Sequence, residues 1–221
     1  MTSVSNASVG AFLAGNSAAK ARHGMTEAIA RLSTGVRAMY GGDAGGASAA
    51  MQLRAEGRSA MMAARGAEDG ISFLHSGEAA LLEIAALNTR IRELAVQGLN
   101  DTMSTADKAA ITAEVAEVVL AGNNIDTAAL NGTALLTAAI SFVIDLDGTT
   151  DELGAAAGIT LAAGRAAADT QMAAITLAMG KMAAGISALR GHQANLYALA
   201  ANSEAAASRI GDTDFARESA N

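Results

Sequence analysis

No cysteine and no proline occur among the 221 residues of this chain, and tryptophan is missing as well. The first absence excludes a disulfide framework, a thiolate nucleophile and any cysteine-based metal site. The second leaves nothing to kink or stop a helix interior, so long helices are permitted. Four Phe and two Tyr are the only aromatic residues, so the large rings that dominate most globular cores are nearly unavailable. Basic runs are lacking too. With a net charge of −7, nothing in the chain could neutralise a phosphate backbone, which excludes nucleic acid as a partner. The first charged residue is Lys20, so the N-terminus has no positive n-region of a secretory signal peptide. The uncharged stretch between Asp126 and Asp145 approaches the length of a membrane span. It holds Thr127, Asn131, Gly132, Thr133, Thr137 and Ser141, and no membrane association is expected from it.

What is present is 51% apolar residues, much of it alanine, with Leu, Ile, Val and ten Met. That material suits long helices lying close together. Residues 3 to 36 begin weakly amphipathic and sharpen into Met25, Ile29, Leu32 and Val36, which predicts a helix. GGDAGG at 41 to 46 places four glycines in six positions and predicts a loop. The helical pattern resumes at Ala47 and runs to about Gln97, with Phe73, Ala80, Ile84, Leu87, Ile91 and Leu94 on one face and Arg90, Arg92 and Glu93 wet. Ser104 and Asp107 then stand in the relation of a capping box, opening a third helix with the seam Ile111, Val115, Val118, Gly122 and Ile125. Asn131-Gly132 signals a turn. ISFVIDL at 140 to 146 predicts one strand, with a second expected near Gly158 to Leu161. The last seam is the longest: Met172, Ile175, Met179, Met182, Ile186, Leu189, Gln193, Leu196, Ala200, Ser203, Ala207 and Ile210 step by threes and fours without a slip. Core packing accounts for its methionines at this spacing.

The fold class that follows is mainly α: an elongated antiparallel helical bundle with coiled-coil-like seams and one small β-hairpin. Its expected divisions are 1–46, an N-terminal helix and connection; 47–136, the bundle helices; 137–165, the hairpin; and 166–221, the last helix. No catalytic constellation is legible. His23, His75 and His192 stand in separate helical regions, and no GxSxG, HExxH or phosphate-loop motif occurs. A calcium loop beginning at Asp145 would need a glutamate where Ala156 stands, so neither metal nor cofactor is expected.

Five stretches carry a resemblance to the bacterial flagellins over nearly the whole chain: ARLSTGVR at 30 to 37, EDGISFLHSGEAALLEI at 68 to 84, IRELAVQ at 91 to 97, LNGTALL at 130 to 136, and RIGDTDFARESAN at 209 to 221. The resemblance implies a non-enzymatic, extracellular filament subunit, exported unfolded through the flagellar type III apparatus without a cleaved signal peptide. Its implied partners are other flagellin subunits, an export chaperone, and the flagellar cap and junction proteins. Variable outer domains, inserted mid-chain in the family, find no room here beyond the hairpin. The resemblance also implies that a Toll-like innate immune receptor would contact Arg90, Leu94 and Glu114. The assembly seam is expected at Ile84, Leu87, Ile91, Ile111, Val115, Ile186, Leu189 and Leu196.

Departures from the family pattern occur where Met39-Tyr40 replaces Asn-Ser, where Ala44 replaces an Asp, and in LRGHQANL at 189 to 196, which lacks an Asn-Arg pair. The chain stops at Asn221, where flagellins continue into an apolar helix, and poor polymerisation is the expected consequence. A hook-filament junction protein shares the terminal helices and is the alternative within the same machinery. A surface-displayed binding module is the alternative outside it.

Overall fold

The computed structural model describes residues 2–37, 42–137, 140–143, 150–153 and 159–219. Its helices are α1 (Thr2–Thr34), α2 (Ala44–Gly98), α3 (Thr105–Asp126), α4 (Arg165–Gly211) and the short α5 (Phe215–Glu218). Two small antiparallel sheets lie between α3 and α4 in sequence, pairing β1 (Ala129–Leu130) with β2 (Thr133–Ala134) and β3 (Ile140–Val143) with β4 (Thr150–Leu153). Contacts divide the chain into one unit of residues 59–198 and another of residues 1–58 with 199–221.

The 59–198 unit is held by a continuous apolar core. Leu74, Leu81, Ile84, Ile91 and Leu94 from α2 meet Val115 from α3 and Ala168, Ile175, Ala178, Met182, Ile186 and Leu189 from α4. The directions follow from individual contacts. Going up α2, Leu87 lies beside Gly122, Arg90 pairs with Glu114, and Gly98 lies beside Ile111, so α2 and α3 run antiparallel. Gly77 lies beside Met182 and Asn88 donates to the Ala168 carbonyl, so α2 and α4 do the same. Ser104 caps α3 as its sequence predicts: its hydroxyl accepts from the Asp107 amide at 3.2 Å, and the Asp107 carboxylate accepts from the Ser104 amide at 3.1 Å.

The hairpin region departs from the sequence reading. Asn131 and Gly132 form a two-residue turn with φ of 52° and 80°, the primed geometry that Asn-Gly favours, and Ala129↔Ala134 and Leu130↔Thr133 pair around it. A tiny hairpin therefore precedes the larger one. In the larger hairpin, Ile140 pairs with Leu153 and Val143 with Thr150, so the partner strand is 150–153 rather than the expected 158–161. Asp151 and Glu152 give 150–153 little strand propensity of its own, and it pairs through its backbone. The apolar alternation at Ile159 and Leu161 has another cause. Both side chains are buried on α3, where the Ile159 amide donates to the Asp126 carboxylate and the Leu161 amide to the Asn123 side chain, each at 2.8 Å. Gly122 makes room for this: a Cβ there would collide with the Leu161 side chain. Residues 144–146 of the predicted strand, together with Asp145, Asp147 and Ala156, lie outside the described residues, as do Met39 and Tyr40.

In the other unit the expected 41–46 loop is shorter than predicted, because α2 already begins at Ala44. Asp43 is the physical reason. Its carboxylate accepts from the Gly46 amide at 2.8 Å and its carbonyl from the Ala47 amide at 3.0 Å, which caps the helix start. A Cβ on Gly46 would overlap that carboxylate, so the glycine serves the cap rather than a loop. At its far end α1 closes on Gly35, whose φ of 70° suits a left-handed cap. Residues 35 to 37 then run antiparallel to 211–213, with the Arg37 amide donating to the Gly211 carbonyl and the Thr213 amide to the Gly35 carbonyl, both at 2.8 Å. Small residues are what this unit buries: Ala50, Ala200, Ser203, Ala207 and Thr213. Ion pairs lie alongside them, Arg31 to Glu218 at 2.7 Å and Arg54 to Asp212 at 2.9 Å.

By length and composition alone, α2 and α4 would also qualify as membrane spans, a property the sequence reading did not find. Their alanine content produces it, and every position of the α4 seam is buried or half-buried inside the chain.

Candidate assembly and recognition surfaces

Arg90 stands on the outer face of α2, three residues after the core position Leu87. Its guanidinium reaches across to α3, with Nη2 2.6 Å and Nε 3.2 Å from the same Glu114 oxygen, and Nη1 3.5 Å from Glu93 on its own helix. The Glu114 hydrogen bond, then its charge, raises the affinity of the guanidinium for its proton above the ordinary value. Both partners stay about half-exposed, so the pair is a wet surface feature with fixed geometry.

Leu94 belongs elsewhere. The family resemblance implied it as a receptor contact beside Arg90, yet it is 1% exposed and sits in the core with Ile91 and Val115. The reason was already in the spacing: Leu94 continues the steps Ile84, Leu87 and Ile91, and a seam residue faces the partner helix. The structure thus brings Arg90 and Glu114 together and turns Leu94 underneath them.

The eight seam residues have a similar fate. Ile84, Ile91, Val115, Ile186, Leu189 and Leu196 are buried, while Leu87 and Ile111 are half-buried against the same core. They are covered by the chain itself. Apolar side chains still facing water are found on α1, where Val9, Phe12, Leu13, Met25 and Ile29 are each more than half exposed. Val9, Phe12 and Leu13 fall at i, i+3 and i+4 and so share one helical face. This spacing was the available signal, diluted by the alanines around it. Met62, Leu82, Val96, Leu99, Leu120 and Leu177 are the corresponding exposed residues in the other unit.

Sequence reasoning also missed the polar member of the core. Asn88 is 1% exposed at a position in step with Leu74 and Leu81. Its side-chain amide donates to the Ala168 carbonyl at 2.8 Å, tying α2 to the first turn of α4. That register contact satisfies the nitrogen of the amide, while its Oδ1 has no partner among the described residues.

Among the described residues no three His, Asp or Glu side chains converge to hold a metal ion. Among the described residues the surfaces are those of a packing module: a covered core, ion pairs that cross between helices at Arg90–Glu114 and Arg92–Asp169, and an uncovered apolar face on α1.

Comparison with known proteins agrees with that character. Residues 6–140 match the family model described as the bacterial flagellin N-terminal helical region. The chain is 33% identical over 215 residues to a flagellin of Halalkalibacterium halodurans, an alignment covering 87% of this chain and 79% of the relative. It is 38% identical over 118 residues to the phase 2 flagellin of Salmonella abortus-equi, covering 53% of this chain and 24% of that one. With flagellin FlaB1 of Treponema pallidum it shares 36% over 115 residues, 51% of this chain and 40% of the relative. The matched stretch therefore spans most of the first relative and less than half of the other two. This chain belongs to the bacterial flagellins, the structural subunits of the flagellar filament.

Proposed function

We propose that the chain serves in the extracellular flagellar filament by burying its exposed α1 side chains against neighbouring subunits. The observation that carries this reading is the contrast between a covered internal core and the wet Val9, Phe12 and Leu13. Covering such side chains is worth about 1.5–3 kcal/mol each, a sufficient drive for association when repeated along a filament. Export through the flagellar type III apparatus, with a chaperone before it and the cap protein after it, is part of the same proposal, and membership of the family supports it. Phe12→Asp with Leu13→Asp puts charge on the face and tests the reading. The double variant is expected to keep parental helicity by circular dichroism and to add to preformed flagellin filament seeds less than the parent chain does, as counted by electron microscopy. Filaments as abundant as the parent's would overturn it.

The Toll-like receptor contact is proposed on the same footing. The fixed, half-exposed Arg90–Glu114 pair supports it, since a pre-positioned guanidinium loses little freedom on binding. Leu94 supports the surface from below. Arg90→Ala is expected to weaken binding to the purified receptor while leaving the unfolding midpoint unchanged, and equal binding would remove the site.

A further inference from the structure

At the junction where 35–37 meets 211–213, a solvent-open cavity of about 490 Å³ is lined by Arg37, Arg209, Thr213, Arg217 and three carboxylates. Arg37, Arg209 and Arg217 face Asp212, Asp214 and Glu218, so equal numbers of each sign meet here. Their commitments are unequal. Asp212 is taken by Arg54 at 2.9 Å and by the Ser208 hydroxyl. Asp214 accepts from the amides of Ala216 and Arg217 at 3.0 and 3.2 Å, and Glu218 is held by Arg31 at 2.7 Å. Among the guanidiniums, Arg37 uses Nε and Nη2 on the Ile210 carbonyl and Nη2 also on Asp43. Among the described residues Arg209 uses only Nε, on the Ala205 carbonyl. Arg217 has no side-chain acceptor among the described residues, and its backbone amide alone is engaged.

The unfilled capacity at this cavity is therefore on the donor side, because guanidinium carries five N–H donors and no acceptor. One further group points the same way. Thr213 is 7% exposed, and its hydroxyl Oγ1 has no hydrogen-bond partner among the described residues. A buried hydroxyl left unpartnered costs free energy that an acceptor entering the cavity would recover.

We propose that this cavity is a binding site for a small tetrahedral oxyanion, inorganic phosphate or sulfate, held by the Arg209 and Arg217 guanidiniums with the Thr213 hydroxyl as its buried donor. Arg–oxyanion pairs are short, charge-assisted and geometrically selective, so the site prefers an oxyanion to chloride.

The test is a titration of the whole chain with inorganic phosphate at constant ionic strength, sodium chloride making up the difference, followed by calorimetry and phosphorus NMR. One saturable site is expected. Arg217→Gln and Arg209→Gln should each weaken it about tenfold or more, the size of a lost charged hydrogen bond. Thr213→Val should weaken it and Thr213→Ser should restore it. Arg165→Gln, on the other unit, should leave it intact. Circular dichroism on each variant guards against a folding defect, and the solvent-facing Arg209→Gln is the variant least able to cause one. Binding that chloride competes away at equal ionic strength, or that survives both arginine substitutions, overturns the proposal; so does the lack of any saturable phosphate binding.

Discussion

Single residues in this chain divide by what they touch rather than by what they are. Arg90 and Leu94 are one helical turn apart, and the sequence grouped them as one recognition patch. The structure separates them by burial, so their substitutions should separate as well. Leu94→Ala removes a fully enclosed side chain and should cost about 3 kcal/mol in denaturant unfolding, by analogy with other core leucines. Arg90→Ala breaks a half-exposed ion pair and should leave the midpoint unmoved within error. Equal losses from the two would contradict the assignment of Leu94 to the core. Asp107 offers a second residue-scale prediction. The Ser104 hydroxyl, then its backbone amide, hold the Asp107 carboxyl below its ordinary value of 3.8. A depressed folded value means that the contribution is present above the unfolded value and disappears as the pH falls through the folded one. The destabilisation caused by Ser104→Ala, about 1 kcal/mol at neutral pH, should therefore shrink toward acid, below about pH 4. A loss independent of pH down to full acid unfolding would show that the carboxylate does not take part.

Whole elements show which signals a sequence transmits. The capping box at Ser104–Asp107 was legible because it is local: both partners lie within one turn. The four helical seams were legible because their spacing repeats over many turns. What could not be read was the docking of one element on another. Ile159 and Leu161 alternate with Thr160 as a strand would, yet the pattern arises because their amides lie on Asn123 and Asp126 of α3, more than thirty residues away in sequence. Glycine misled for a related reason. At 41–46 it suggested freedom, whereas Gly46 accommodates the Asp43 cap and Gly122 accommodates Leu161. Gly122→Ala measures that accommodation. Helix propensity alone would make the exchange stabilising by nearly 1 kcal/mol. The collision with Leu161 should reverse the sign, giving a loss of about 1–3 kcal/mol and faster hydrogen exchange at the amides of 159 and 161. A stabilised protein would mean that Leu161 has another resting place.

At the scale of the molecule, the same two helices take part in two kinds of packing. Between residues 59 and 198, α2 and α4 contribute large side chains such as Leu81, Ile84, Ile91, Ile175 and Leu189 to one apolar core. In the unit that holds 1–58 and 199–221 they bury Ala50, Ala200, Ser203 and Ala207, with arginine pairs to Glu218, Asp43 and Asp212 alongside. Burying an alanine methyl removes far less apolar area than burying a leucine, and exposed ion pairs add little and are screened by salt. One continuous helix should then display two protection levels. In native-state hydrogen exchange, amides of 74–94 and 175–196 should be protected close to the global limit, while those of 47–58 and 200–211 should open by local unfolding. Raising salt to about 1 M should widen the gap, because it screens the arginine pairs at a Debye length near 3 Å while leaving apolar burial in place. Uniform protection along α2, unaffected by salt, would show that the ion-paired unit is as cohesive as the apolar one. Its exposed α1 face would then have to be explained by assembly alone rather than by a unit that gains much of its cohesion when neighbouring subunits cover it.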